Sequence, residues 1–267
     1  MLPGMLTAAL ALSGATQAAA QPGGDETGWY ARIGALALAM PKYEGGDRYK
    51  LRPLPVVKIT YDNQFFLSHH GLGINLTPHS EVLEVNVAVG YDGGRGSGKA
   101  AALTGYRSIG DTAVGRLMVD YRIGAVKLHA DIATDLLGDG HGGTQATIGI
   151  NCLSSPYGDA TLVVGPSLTW ASGGYMHSFF STTPDRLNDA ARTGQVVPGS
   201  RIGFDAGSGL KNAGLSAILI HPLGDSWSLI GHAGYARMLG DAADSPFVKD
   251  NGSRDQFSGG LGLSYTF

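Results

Sequence analysis

The chain has 267 residues, a single cysteine and a formal net charge of -3 at neutral pH. That balance argues against a general nucleic-acid binder, and one cysteine excludes both an internal disulfide framework and a cysteine-rich zinc site. Charged residues make up 15%, against about 25% in soluble domains. The 42 glycines are more than twice the usual share of about 7%. Hydrophobic residues at 43% exclude a disordered polar chain, yet no apolar run reaches the ~18 residues of a membrane helix.

The first predicted element is an export signal over residues 1–20. Leu6 to Leu12 is a short apolar core, and Ala18-Ala19-Ala20 has the small side chains a signal peptidase accepts. Residues 21–28 read as a linker and residues 29–267 as one β-barrel domain. Within it, strands show as period-two alternation. In Val82–Tyr91, Leu83, Val85, Val87, Val89 and Tyr91 share one face, and Glu84 and Asn86 lie on the other. In Leu117–Ile123, Leu117, Val119, Tyr121 and Ile123 alternate with Met118, Asp120 and Arg122. Next, Val126, Leu128, Ala130 and Ile132 alternate with Lys127, His129 and Asp131. The last segment sets Phe257, Leu261, Leu263, Tyr265 and Phe267 against Ser258, Gly260, Gly262, Ser264 and Thr266.

A soluble sandwich also alternates, with its apolar face turned inward. Here aromatic residues sit near strand ends: Trp29, Tyr30, Tyr91, Tyr121, Trp170, Trp227, Tyr265 and Phe267. The opposite faces are rich in Gly, Ser and Thr, which suits a narrow lumen. The pattern predicts an all-β, transmembrane antiparallel β-barrel whose aromatic girdles meet the two lipid interfaces. Four short connections fall near residues 77–80, 121–124, 155–158 and 222–225, and five longer ones near 41–53, 92–111, 135–143, 171–209 and 240–255. Putting the short ones in the periplasm and the long ones outside gives ten strands, provided Leu54–Leu76 is one long strand. Twelve is the alternative: Asp62-Asn63-Gln64 becomes a turn and Arg201–Ser208 supplies another strand, which puts two long connections on the periplasmic side.

No catalytic, cofactor-binding or metal-ligating residue is assigned. Gly93-Gly94-Arg95-Gly96-Ser97-Gly98-Lys99 resembles a phosphate loop, but Ala100 stands where that motif needs Ser or Thr; it reads as a flexible connection. His69-His70 on a strand would point to opposite faces. Lys127, His129 and Asp131 share a face and read as lumen ion-pair partners of Asp120 and Glu84, which would tend to fill a narrow barrel. No G-x-S-x-G elbow is present, and a non-enzymatic protein is expected.

Several scattered pieces, in order, resemble the MltA-interacting protein / OmpV (MipA/OmpV) family of Gram-negative outer-membrane proteins. They are Pro41, Tyr43, Gly45 and Gly46, then Leu54-Pro55, Tyr61, Phe65-Phe66 and Gly71-Leu72-Gly73. Further on come Tyr175-Met176, Phe179-Phe180, Trp227-Ser228-Leu229, Leu239-Gly240-Asp241-Ala242, Asp244-Ser245-Pro246 and Tyr265-Thr266-Phe267. The chain departs at Phe179-Phe180-Ser181-Thr182, where the family usually reads Tyr-Phe-Gly-Val. The resemblance implies a barrel in the cell outer membrane, in contact with its lipid. For the member that gives the family its name, it implies a scaffold joining a periplasmic murein-cleaving lytic transglycosylase to a murein synthase. The alternatives are a narrow small-solute channel and a surface adhesin acting through the long external loops. A stable partner interface needs about 800 Å² per side, and the periplasmic face of a ten-strand barrel offers only short turns and the termini. The ending Gly262, Tyr265, Phe267 resembles the signal read by barrel-assembly machinery.

Overall fold

A computed structural model describes residues 28–267; the expected signal segment and all but the last residue of the expected linker lie outside the described residues. Twelve antiparallel strands close into a barrel: β1 (Trp29–Pro41), β2 (Tyr49–Tyr61), β3 (Phe65–Ser68), β4 (Gly71–Asn75), β5 (Leu83–Asp92), β6 (Thr112–Ile123), β7 (Val126–Asp135), β8 (Thr144–Ser154), β9 (Thr161–Ala171), β10 (Gly209–Pro222), β11 (Trp227–Met238) and β12 (Asp255–Thr266). Each strand pairs with its chain neighbour, and β1 closes on β12 with Arg32 opposite Thr266 and Ala39 opposite Gly259.

The favoured count of ten is corrected to twelve, and the two extra strands do not come from where the twelve-strand alternative drew both. Leu54–Leu76 breaks twice. Asp62 and Asn63 both adopt φ of 51°, the paired left-handed conformation of a tight hairpin that Asn and Asp tolerate. His69 and His70 then make a second turn, with Gly71 at φ 113° and a Cβ there 2.6 Å from the Gly90 Cα. Unbroken alternation concealed both turns, because a tight turn can preserve side-chain parity across it. Arg201–Ser208 is irregular rather than a strand. Because both added strands belong to one short hairpin, every long connection (42–48, 93–111, 136–143, 172–208 and 239–254) stays at one end of the barrel. The other end carries the shorter connections 62–64, 76–82, 124–125, 155–160 and 223–226. The twelve-strand barrel therefore does not enlarge the short-turn end with long loops.

The outward faces follow the alternation. Leu128 and Ile132 are exposed on the barrel exterior, while Lys127, His129 and Asp131 are buried in the lumen. Two aromatic girdles frame the exterior band. At the short-turn end, Trp29 stacks near Tyr61 (5.0 Å between ring centres), and Tyr265 lies between Trp227 (5.2 Å) and Phe267 (4.8 Å). At the long-loop end, Tyr235 meets Phe257 (5.1 Å), and the Tyr49 hydroxyl lies against the Phe257 backbone N–H. Eight residues separate Phe257 from Tyr265. At about 3.4 Å per residue and a tilt near 40° they span roughly 21 Å, close to the ~25 Å apolar band of outer-membrane barrels.

Candidate functional site: the lumen and its lid

A barrel of this strand number is wide enough to leave space inside unless side chains or loops fill it. The lumen wall fills that space in two different ways. On β1, β2 and β9–β11 the inward residues include a large apolar set. Leu36, Leu38, Met40, Leu54, Val56, Val163, Ile218, Ile220 and Ile230 form one buried cluster across the barrel. Small residues on β12 make room for it: a Cβ on Gly260 would sit 2.6 Å from the Ala37 carbonyl oxygen, and one on Gly262 would sit 2.8 Å from the Leu36 Cα.

On β4–β8 the inward residues include most of the buried ion pairs, beside Ala88, Val114, Met118 and Ala133. Asp120 accepts from Lys127 Nζ at 3.2 Å and meets His129 Nδ1 at 2.5 Å. Arg116 donates to Asp131 at 3.2 Å, and Thr147 pairs with Thr169 at 3.0 Å. Glu84 lies opposite Asp120 and accepts from Asn86. Lys127 and His129 pair with Asp120 as expected, whereas Asp131 pairs with Arg116 instead of the expected neighbours. Each burial is offset by a partner, as buried charge requires. Among the described residues, His70 Nε2 and His129 Nε2 are buried with no hydrogen-bond partner. The expectation for His69-His70 is corrected: they form a turn, not a strand, and their rings lie 3.9 Å apart instead of on opposite faces.

The long loops fold over the lumen as a lid. Helix α1 (Gly173–Phe180) follows β9, α2 (Asp189–Arg192) follows in the same connection, and α3 (Gly240–Asp244) and α4 (Pro246–Lys249) follow β11. Tyr175, Met176, Phe179 and Phe180 of α1 are fully buried against Met238, Ala242, Ala243 and Val248. Tyr43, Leu103, Tyr106, Leu187 and Phe247 form an adjoining cluster. Each fully buried Phe contributes about 1.5–3 kcal/mol relative to exposure. Hydrogen bonds fix the packing: the Tyr43 hydroxyl donates to Phe247 O at 3.1 Å, and Ser245 Oγ donates to Phe180 O at 2.6 Å. Burial pushes the Tyr43 phenol up to about 12, assisted by Asp47, so it remains a donor. Ser181, where the family usually has Gly, has φ of -78° and needs no glycine. Its hydroxyl donates to Asp205 at 3.0 Å and accepts from Ala206 N–H at 2.8 Å.

Charged residues tie lid to wall. A bulge in β10 between Leu210 and Asn212 accompanies the inward burial of Lys211. Lys211 Nζ reaches Glu44 at 2.5 Å and Gln145 at 2.6 Å, and the Tyr175 hydroxyl donates to Glu44 at 2.9 Å. Arg95 enters from connection 93–111 and donates to Phe179 O at 2.5 Å, with the Phe179 and Phe247 rings 5.4 and 5.1 Å away. Burial, together with nearby Arg186, lowers Arg95 to about 10, which still leaves it charged at neutral pH. The glycine-rich segment expected to be a flexible spacer therefore carries a buried anchor.

Beneath this lid lies a cavity of about 70 Å³, lined among others by Leu38, Met40, Asn212, Ser216, His232 and Ser258. One water needs about 10–15 Å³ on this measure, so the chamber holds several waters or one small solute. His232 Nε2 meets Ser258 Oγ at 3.0 Å, while His232 Nδ1 and Asn212 Oδ1 have no protein partner among the described residues. Among the described residues no group of three or more His, Cys, Asp or Glu side chains is placed to hold a metal. Sequence reasoning placed Glu84, Asp120, Lys127 and Asp131 in the lumen but missed Glu44, Arg95, Lys211 and Tyr175. The first three look like ordinary surface charges in a loop or at a strand end. The only signal for Tyr175 was the family resemblance.

The structure shows what the scattered family residues share. Tyr43, Tyr175, Met176, Phe179, Phe180, Ala242 and Ser245 all converge on the lid. Solved structures with a similar course include the COG4313 outer membrane channel from Pseudomonas putida F1 (12% identity, TM-score 0.40, covering 92% of this chain and 99% of that one). Others are Neisserial surface protein A (9%, 0.26, 90% and 96%) and outer-membrane expressed OmpT of Vibrio cholerae (8%, 0.37, 90% and 97%). Among curated proteins, none matches the chain. The family model described as MltA-interacting protein MipA matches residues 33–267, nearly the whole described barrel, and the chain belongs to that family.

Proposed function

We propose that this outer-membrane β-barrel is a non-enzymatic scaffold that docks a periplasmic murein-cleaving lytic transglycosylase, and through it a murein synthase. The observation that carries this reading is the filled lumen. An apolar plug of Leu36, Leu38, Ile218 and Ile230, an ion-paired opposite wall and a packed lid favour action through surfaces over free passage of solute. The family description supplies the class of partner. At the short-turn end, Tyr157 (83% exposed) and Leu223 (51%) project from neighbouring turns, the β8–β9 and β10–β11 hairpins. Exposed apolar residues on adjacent turns are the type of feature that anchors an interface.

The test is direct binding of a soluble lytic transglycosylase of the MltA type to the purified barrel in detergent. Saturable binding is expected, weakened at least tenfold by Tyr157→Asp with Leu223→Asp. No binding by the folded wild-type barrel overturns the scaffold reading. Single-channel recording gives the second arm, where sustained conductance would favour the channel alternative.

A further inference from the structure

We infer that the barrel wall has a lateral opening between β2 and the β3–β4 hairpin, and that this opening receives the anionic headgroup of a membrane amphiphile. β2 pairs with β1 along its whole length, from Tyr49 opposite Pro41 to Tyr61 opposite Trp29. On its other edge it pairs with β3 only from Lys58 to Tyr61. The stretch 49–57 has no strand partner on that edge among the described residues, because β3 is four residues long and β4 five. Tyr49 belongs to the girdle at the long-loop end and Tyr61 to the girdle at the short-turn end. The open edge therefore lies in the half of the membrane nearer the loops.

An open sheet edge facing hydrocarbon leaves backbone groups unpaired at several kcal/mol each. The sequence of β2 blunts it. The bonds Asp62 N–H to Gly28 O and Lys42 N–H to Arg48 O bracket the β1–β2 ladder and fix its parity. By that parity even-numbered residues of β2 bond to β1, and Leu51, Pro53, Pro55 and Val57 turn their backbones to the open edge. Two of those four residues are prolines, which have no N–H to satisfy. The remaining carbonyls and N–H groups need water or a polar headgroup.

The side chains beside the opening are cationic. Lys50 and Arg52 have the inward parity of the buried Leu54 and Val56, yet both are partly exposed, whereas their β1 partners Met40 and Leu38 are buried. Lys42 and Lys99 lie close enough to Lys50 to act on its charge. Lys50 Nζ donates to the Lys42 carbonyl at 2.8 Å, and no carboxylate pairs with Lys42, Lys50, Arg52 or Lys99 within salt-bridge distance among the described residues. The nearest acids, Asp92 and Asp111, act on Lys99 from the loop side, and Asp111 accepts from the Tyr91 hydroxyl. Four clustered cations with no carboxylate in salt-bridge contact favour an anion. One strand behind them, Leu38 and Met40 of β1, with Lys42 just past its end, line the lumen cavity. A phosphate or carboxylate on an alkyl chain fits both elements: the headgroup on the cations and the chain along the exposed Leu51, Pro53 and Pro55.

The test uses dodecyl phosphate as probe, with the folded full chain in a neutral maltoside detergent and binding read by native mass spectrometry and calorimetry. Saturable binding of dodecyl phosphate is expected, at least tenfold tighter than dodecanol or inorganic phosphate. Lys50→Gln with Arg52→Gln should abolish the difference, and Lys249→Gln, whose charge pairs with Asp244, should leave it intact. Equal binding of dodecanol, equal binding of inorganic phosphate, or an unchanged affinity in the double variant would each overturn the proposal. A spin label at Pro53→Cys in liposomes provides a readout independent of the ligand. It should be more accessible to a water-soluble relaxer than the same label at Leu263→Cys, and equal dryness at the two positions would refute the opening.

Discussion

The two halves of the lumen wall solve one problem with opposite chemistry. Both halves must close a wide barrel, and both present apolar residues outward to lipid. Inward, β1, β2 and β9–β11 pack Leu, Ile and Val against one another across the space, while β6 and β7 hold Arg116 against Asp131 and Asp120 against both Lys127 and His129. The apolar half is forgiving: removing a methylene leaves a void but no unpaired group. The polar half is not, because Asp120 serves both Lys127 and His129, so its loss takes a carboxylate from two buried groups at once. The outward face is set by the solvent, here lipid, and the inward face only by what lies opposite.

The sharpest way to break this comparison is to remove Asp120. Asp120→Ala leaves Lys127 and His129 without the carboxylate that both touch, and should destabilise the barrel by about 3–5 kcal/mol in a urea refolding titration. A loss under about 1 kcal/mol would show that the polar half is solvated rather than sealed. In the apolar half, Ile218→Ala creates a cavity in a fully buried cluster and should lose about 2–5 kcal/mol. On the outside, Leu128→Arg should lose about 2–4 kcal/mol if it lies near the bilayer midplane. Alternation by itself makes Asp131→Asn the milder change, but the structure revises that ranking. Asp131 is fully buried against Arg116, so breaking the pair belongs with the Asp120 variant and should match or exceed Leu128→Arg.

A smaller effect on stability, with a large one on yield, is expected at the seam. Phe267 N–H donates to Ala31 O at 2.9 Å, and its ring stands edge-on to Tyr265. Deleting Phe267 should lower the amount of heat-modifiable barrel recovered from membranes, with little change in the unfolding of molecules that do assemble. Normal recovery would count against a role in assembly.

The smallest effect is a pH response in the lid. Burial pulls the His177 imidazole down, but Asp205 (2.8 Å) and Asp185 (2.9 Å) clasp its two nitrogens and raise its pKa overall. Thr183 and then His177 lower Asp185, and His177 and then Ser181 lower Asp205. A raised imidazole stabilises fully below its unfolded value of about 6.5 and loses that contribution as pH rises through the folded value. The lowered carboxylates lose theirs only as pH falls through their own folded values. The clasp is thus tightest in mildly acidic solution. Hydrogen-exchange protection of residues 172–208, corrected for the intrinsic base-catalysed rate, should fall as pH rises above about 6.5, and His177→Ala should remove that fall. An unchanged profile in the variant would show that the clasp does not hold the loop.

Much of the wall was legible. Strand faces on β5–β7 and β12, the short-turn girdle of Trp29, Trp227, Tyr265 and Phe267, and the lumen placement of Asp120, Lys127 and Asp131 follow from period two and from the need of aromatic rings for an interface, whereas Tyr30, expected in a girdle, turns inward beneath Lys58. Strand count was not, because Asp62-Asn63 and His69-His70 turn without disturbing that period. The lid was legible only as a family resemblance. Tyr43, Tyr175, Phe180 and Ser245 are far apart in the chain, and nothing local marks them as one cluster.

By itself, then, the sequence determined the class of wall and which side of β5–β7 and β12 faces outward, since those depend on neighbours two residues away. Only the tertiary structure decided that Arg95 and Lys211 are buried anchors and that Leu36 and Ile218 plug the lumen. It alone placed Pro53 and Pro55 along an unpaired edge. Each of these depends on contacts across the barrel or between loops, where the partner's identity is fixed by closure of the sheet and not by the spacing of residues along the chain.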